Sequence, residues 1–297
     1  MKRVVLFVVT NLAVLVVISI LVHLLGADRW LKPHGLDLTM LLVFSAIVGF
    51  SGSFISLAIS KWMAKFAYNI QIIDRPGSQA ERWLLERVDQ YARQAGIKRP
   101  EVGVYESPEV NAFATGPSRN NALVAVSSGL IERMNPRQIE GVIAHEVAHI
   151  ANGDMVTMTL LQGVLNTFVV FLSRVLGFVI DQALRRGDDR GGVGIGYFLG
   201  SLVCQILLGI LASLVVMAYS RRREFKADAM GARLAGRDAM IGALRRLQDI
   251  MDSGGVLDNR SPALSAFKIN NRSGGLMALF ASHPPLEARI AALERLK

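Results

Sequence analysis

Residues 136–153 read PRQIEGVIAHEVAHIANG. Asn135 before the run and Pro136 at its head are a helix start: an asparagine cap followed by a proline whose missing N–H would have gone unused anyway. Ile143, Val147 and Ile150 supply the apolar face of a buried helix, which belongs at a protected cleft rather than on an open surface. On it stand His145, Glu146 and His149. Histidines at i and i+4 project from one face and can close on a single ion. Glu146 is turned too far round to share that ion but can reach a water held on it. The plainer alternative is a pair of half-buried histidines beside a surface glutamate. Five histidines in 297 residues make the pattern rare by chance, which favours the metal.

A catalytic zinc usually takes three protein ligands. His23 and His34 sit in the N-terminal apolar region and are poor candidates for the third. Glu224, in RRREFKADAMGARLAG (221–236), is the better one, with Asp228 one turn on. One carboxylate can bind the ion while the other accepts the spare N–H of a ligating imidazole. The same spacing also suits an exposed helix pair partnered by Arg221 or Lys226. His283, in ASHPPLEARI, reads equally as a loop residue before a proline-initiated helix or as a donor that stabilises a tetrahedral oxyanion.

Around this centre the chain is strongly apolar. Hydrophobic residues make up 52% and charged residues 19%, against about 25% charged in soluble domains, so the excess points to a bilayer. Residues 4–25 and 38–60 are runs long enough to span roughly 30 Å of hydrocarbon. They form a hairpin about the polar link ADRWLKPHG. Lys2, Arg3, Lys61 and Lys65 flank its ends, and lysine and arginine next to spans stay in the cytoplasm, which places both hairpin ends there. Runs 155–180 and 193–219 are a second apolar pair; Asn166 and Arg174 in the first and several glycines in the second leave each open as a span, a buried core helix or a shallow membrane insertion. Arg221, Arg222 and Arg223 keep the C-terminal segment on the cytoplasmic side.

The net charge is +9 and the pI about 10.0. Residues 221–297 hold 14 basic against 8 acidic residues, whereas 61–154 balance at 11 each. Charge confined to span ends sets topology and does not call for nucleic acid. Cys204 is the one cysteine, so no intramolecular disulfide forms. The soluble blocks 70–154 and 221–297 are expected to fold together. The first holds an amphipathic helix in SQAERWLLERVDQYARQAG, stopped by Gly96, then strands at EVGVYES, NAFATG and NALVAVSSGL. The strand beginning Asn111, Ala112, Phe113, Ala114 is either a packed strand or an edge that aligns an extended substrate by strand addition. The expected fold is therefore an α-helical membrane protein with a mainly α, α+β zincin-like metalloprotease domain: 1–69 as the hairpin, 155–220 as the second apolar pair, and the two soluble blocks as the protease.

HEVAHIANGD at 145–154, REFKADAMGARL at 223–234 and SHPPLEARI at 282–290, set in this order around two apolar runs and after an N-terminal hairpin, resemble the HtpX family of membrane-bound heat-shock zinc metalloproteases, relatives of the CAAX prenyl proteases. The resemblance implies one zinc per chain on His145, His149 and Glu224, with Glu146 as base and Asp228 as support. It also implies proteolysis of membrane proteins in quality control at the bacterial inner membrane. A CAAX-type prenyl protease and a non-enzymatic zinc-dependent membrane scaffold are the rivals. Four apolar runs are few for the enclosed chamber of the former, and a purely structural site has no use for Glu146.

Overall fold

The computed structural model describes residues 37–184, 194–253 and 283–296. The expected span at 4–25 lies outside them. The described chain forms α1 (Leu38–Tyr68), β1 (Gln71–Ile72), α2 (Gln79–Gln94), β2 (Glu101–Tyr105), β3 (Ala112–Ser118), β4 (Asn121–Ser127), α3 (Ser128–Arg133), α4 (Pro136–Asn152), α5 (Asp154–Leu184), α6 (Ile195–Ala235), α7 (Arg237–Asp252) and α8 (Leu286–Glu294). It divides into two compact units. One runs up to Ile55 and resumes over Thr159–Ser213; the other takes in Ser56–Met158 and the chain from Leu214 on.

Three helices, α1, α5 and α6, are long and apolar enough to cross a membrane, with mean hydropathies of 2.1, 1.9 and 2.4. Within the first unit small residues bring helices together. A side chain at Gly49 would meet the backbone N of Thr167 at 2.6 Å, and one at Gly177 would meet Ser201. The glycines of the fourth run do not interrupt it, because α6 is a single helix of 41 residues. Its start is capped from α5: the N–H groups of Gly194 and Tyr197 donate to the carboxylate of buried Asp181 at 3.0 and 3.2 Å. That carboxylate satisfies donors that hydrocarbon cannot.

The second unit is α+β. Its sheet has the order β1-β2-β4-β3, with β2 and β4 parallel and both outer pairs antiparallel. Every residue of β4 except Asn121 is buried, as a central strand covered on both faces must be. β3 is an edge. The expected strand NALVAVSSGL stops at Ser127, which becomes the N-cap of α3: its hydroxyl accepts from Leu130 N–H at 3.1 Å, a local bond that competes with the ladder. One core joins Val88 and Tyr91 of α2, Val124 and Val126 of β4, Ile143 and Val147 of α4, Leu244 and Leu247 of α7, and Ile290 and Leu293 of α8.

Candidate metal centre

Helix α4 begins with a full capping box. The Asn135 side chain accepts from Gln138 N–H at 2.9 Å, and the Gln138 side chain accepts from Asn135 N–H at 3.0 Å. It ends at Gly153, whose left-handed φ of 67° suits glycine and turns the chain straight into α5. Helix α6 approaches α4 closely because residue 231 is glycine. A Cβ there would lie 3.3 Å from the backbone N of His145 and 2.8 Å from Met240 Sδ. The approach sets Glu224 and Asp228 of α6 against His145 and His149.

All of these side chains are buried. The Nε2 atoms of His145 and His149 lie 3.0 Å apart. Glu224 Oε2 is 3.4 Å from His145 Nε2, and Glu224 Oε1 is 3.3 Å from His149 Nε2. Ligands held at ~2.0–2.1 Å by a tetrahedral zinc stand about 3.3 Å from one another, a spacing that the two Nε2 atoms and the Glu224 carboxylate approach. His145, His149 and Glu224 form the group that meets metal-site geometry among the described residues. Glu224 Oε1 is also a buried oxygen with no hydrogen-bond partner, a costly arrangement for a protein interior unless something cationic completes it.

The far side of each ring is fixed. His145 Nδ1–H donates to Asp228 Oδ1 at 3.0 Å, and His149 Nδ1–H donates to Asp154 Oδ2 at 2.6 Å. Since a carboxylate only accepts, each bond keeps the proton on Nδ1 and aims the Nε2 lone pair at the common point. Asp228 is held in turn by Arg289, whose Nε and Nη2 donate to its two oxygens at 2.8 and 2.6 Å. Asp154 and Arg289 escape sequence reasoning although both stand inside its motifs. Nothing in helical periodicity flags a residue just beyond a left-handed glycine, or an arginine that is buried in a short amphipathic helix. His283 Nδ1–H donates to Glu224 Oε2 at 2.7 Å, so His283 belongs to this cluster and is not a detached loop residue.

Burial disfavours charge on His145, His149, Glu224 and Asp228, yet their mutual contacts outweigh it. The hydrogen bonds from Asp228 and Glu224 push the His145 ring up to about 9 against its burial. Burial alone would raise the Glu224 carboxyl, but the imidazoles of His283, His149 and His145 hold it well below the usual carboxylate range. Asp228 is likewise depressed, with Arg289 overcoming the cost of burial. The carboxylates are therefore ionised, and the imidazole nitrogens facing them bind either protons or a metal ion. Glu146 is 4% exposed and makes no hydrogen bond or ion pair among the described residues. Asn111 lies buried at the head of edge strand β3, and Ala112, Phe113 and Ala114 pair with Val126, Ala125 and Val124 of β4, with no strand on the other edge of β3 among the described residues.

A helix that offers two imidazoles and an unpaired glutamate to a carboxylate from a second helix is the working arrangement of a metallopeptidase, here with three membrane-length helices among the described residues. The chain belongs to Peptidase family M48, whose match covers residues 78–297. It is similar to a "Protease HtpX homolog" of Methylacidiphilum infernorum, 60% identical over 99% of each chain, and to one of Chlorobium limicola, 54% identical over the same share. It is 52% identical, over the whole of both chains, to the "Protease HtpX" of Thioalkalivibrio sulfidiphilus. Among solved structures it resembles S. mikatae Ste24p with a TM-score of 0.59 at 18% identity, covering 98% of this chain and 67% of that one. That likeness is one of fold.

Proposed function

We propose that this membrane metalloprotease is a zinc endopeptidase that cleaves membrane or misfolded proteins in inner-membrane quality control. The observation that carries the reading is the convergence of His145, His149 and Glu224 beside an unpaired Glu146. Those three residues would hold one zinc ion per chain, through two Nε2 atoms and a carboxylate. The ion supplies a Lewis acid that acidifies water and polarises a carbonyl. Glu146 takes the proton of the attacking water on its carboxylate and passes it to the leaving amide nitrogen. Asp228 and Asp154 keep both rings in the tautomer that ligates, and Arg289 keeps Asp228 ionised and in place. His283, hydrogen-bonded to Glu224 beside the metal donors, would serve the oxyanion of the tetrahedral intermediate as a hydrogen-bond donor. The open edge of β3, from Asn111 through Ala114, accepts an extended substrate by strand addition.

The lysine and arginine pattern around the apolar runs supports cytoplasmic termini and a cytoplasmic active site at the bacterial inner membrane. Family membership and the relatives named for HtpX support protein substrates. A CAAX-type prenyl protease is the nearest rival. The test is to offer the reconstituted, zinc-loaded protein an unmodified single-span membrane protein and a prenylated peptide side by side. Cleavage of the membrane protein, and of the peptide no faster with its prenyl group than without, is the expected result. Strict dependence on the prenyl group would favour the rival. A scaffold would cleave neither.

A further inference from the structure

The end of α1 inverts the usual rule for a helix on a soluble unit. Ile59, Trp62, Met63 and Phe66 stand at i, i+3, i+4 and i+7, on one face, and all are exposed, Trp62 by 63% and Phe66 by 75%. The Trp62 and Phe66 rings stack on each other at 5.7 Å, only 9° from parallel. The lysines between them are the residues turned inward. Lys61 Nζ reaches Glu101 Oε1 and Asn121 Oδ1, each at 2.8 Å, and Lys65 Nζ reaches Glu101 Oε2 at 2.6 Å. Ala64 and Tyr68 pack into the core formed with Tyr105, Phe113 and Leu123. A helix facing water puts lysines out and aromatics in. This one does the reverse, so the medium outside its apolar face is not water.

The occupant is identified by continuity and chemistry. The apolar run 38–60 ends two residues before Trp62, so the face prolongs a membrane span. Tryptophan beside the end of a span is what the headgroup–acyl boundary selects, because the ring has an apolar body and one polar N–H. Lys61 bonds the first residue of β4, and Ser118 at the end of β3 pairs with that same Asn121. The turn of the β3–β4 hairpin is thus tied to this helix within one residue of Trp62.

We propose that the Ile59–Trp62–Met63–Phe66 face is seated in the phospholipid interface, and that Lys61, through Asn121, holds the β3–β4 hairpin at the bilayer surface. On the reading of β3 as the substrate edge, the stretch presented for cleavage is then the segment adjoining a membrane span. Seven extended residues of β3 cover at most roughly 23 Å, so the Asn111–Ala114 end of the edge lies within that distance of the tied turn.

The test uses the full chain in phosphatidylcholine vesicles. With Trp30→Phe and Trp83→Phe, Trp62 is the sole tryptophan, and its fluorescence is read against lipids brominated either high on the acyl chain or at its end. Quenching strongest for bromine high on the chain is expected. No quenching by either lipid, or stronger quenching from the chain end, overturns the seat. So does a disulfide-linked dimer of Trp62→Cys in a Cys204→Ser background, which would show a second copy covering the face.

A second arm measures the ratio of cleavage of a single-span membrane protein to cleavage of a soluble unfolded protein, so that a general loss of folding divides out. Trp62→Ser with Phe66→Ser should lower that ratio on the order of ten-fold, given the apolar area of two aromatic rings, and exchanging the two aromatics should restore it. An unchanged ratio overturns the hairpin placement. If the unsubstituted enzyme cleaves neither substrate, the proteolytic reading fails, while the quenching arm still decides the seat.

Discussion

Arg289 and Asp228 meet through a two-pronged, fully buried ion pair: two donors of the guanidinium reach the two carboxylate oxygens at 2.6 and 2.8 Å, with Arg289 only 1% exposed. Asp228 spends one of those oxygens a second time on His145 Nδ1. The orientation of a candidate zinc ligand therefore depends on a residue from the last described helix, about 140 positions further along the chain.

Arg289→Met leaves Asp228 charged and buried with only His145 Nδ1–H on its carboxylate. Breaking a buried pair from one side costs about 3–5 kcal/mol, so a marked fall in thermal midpoint is expected, together with weaker zinc retention. Arg289→Lys should fall between, since it keeps the charge but not the fork. Thermal unfolding with metal analysis checks both. A Met variant as stable and as fully loaded as the parent would show that the pair does not position His145.

Glu224 and Asp228 should separate cleanly. Glu224→Ala removes a donor of the triad and should strip most of the zinc and nearly all activity. Asp228→Ala should weaken affinity or activity about 10 to 100-fold. If the two effects are reversed, the ligand and its support have been exchanged. If neither change alters zinc content, His283, which touches Glu224, is the next residue to replace.

Zinc binding should release protons. The ion-free His145 ring is raised from 6.5 to about 9 by its carboxylate partners, so near neutral pH it holds a proton that the ion must displace. Affinity should climb by about tenfold per pH unit for the His145 proton, more steeply where the His149 ring, also raised by Glu224, holds a second, and level off once both rings are free of it. Titration calorimetry in buffers of different ionisation enthalpy measures the proton count directly. An affinity that does not change with pH across this window contradicts the linkage.

Much of this centre is legible in the sequence, and the reasons for what is not are specific. His145, Glu146 and His149 sit on a helix whose cap, first proline and terminal glycine are all written locally, and Glu224 and Asp228 share a face through i, i+4 spacing. Asp154 is not legible because Gly153 reverses the chain, and it is this reversal that brings Asp154 back onto His149. Arg289 carries every sign of a solvated charge until the packing of α8 buries it. Helix α7, which packs along α4, is missing from the expected elements although Met240, Leu244, Leu247 and Ile250 write its buried stripe at helical spacing, and the two-residue strand β1 is too short to leave a pattern.

Topology is set by charge. Reporters fused near residue 34 should lie outside the cytoplasm, and those near residue 75 and at the C-terminus inside it. A periplasmic C-terminus would put Glu224 and the rest of the centre on the opposite side of the membrane, against the lysine and arginine pattern.

The most direct test is Glu146→Gln, assayed for hydrolysis of a membrane-protein substrate alongside its metal content. The amide keeps the shape but cannot take the proton, and Glu146 is not among the converging donors. Full zinc occupancy with turnover abolished is the predicted result. Near-normal turnover by the zinc-loaded variant would remove Glu146 from the role of base and contradict the mechanism.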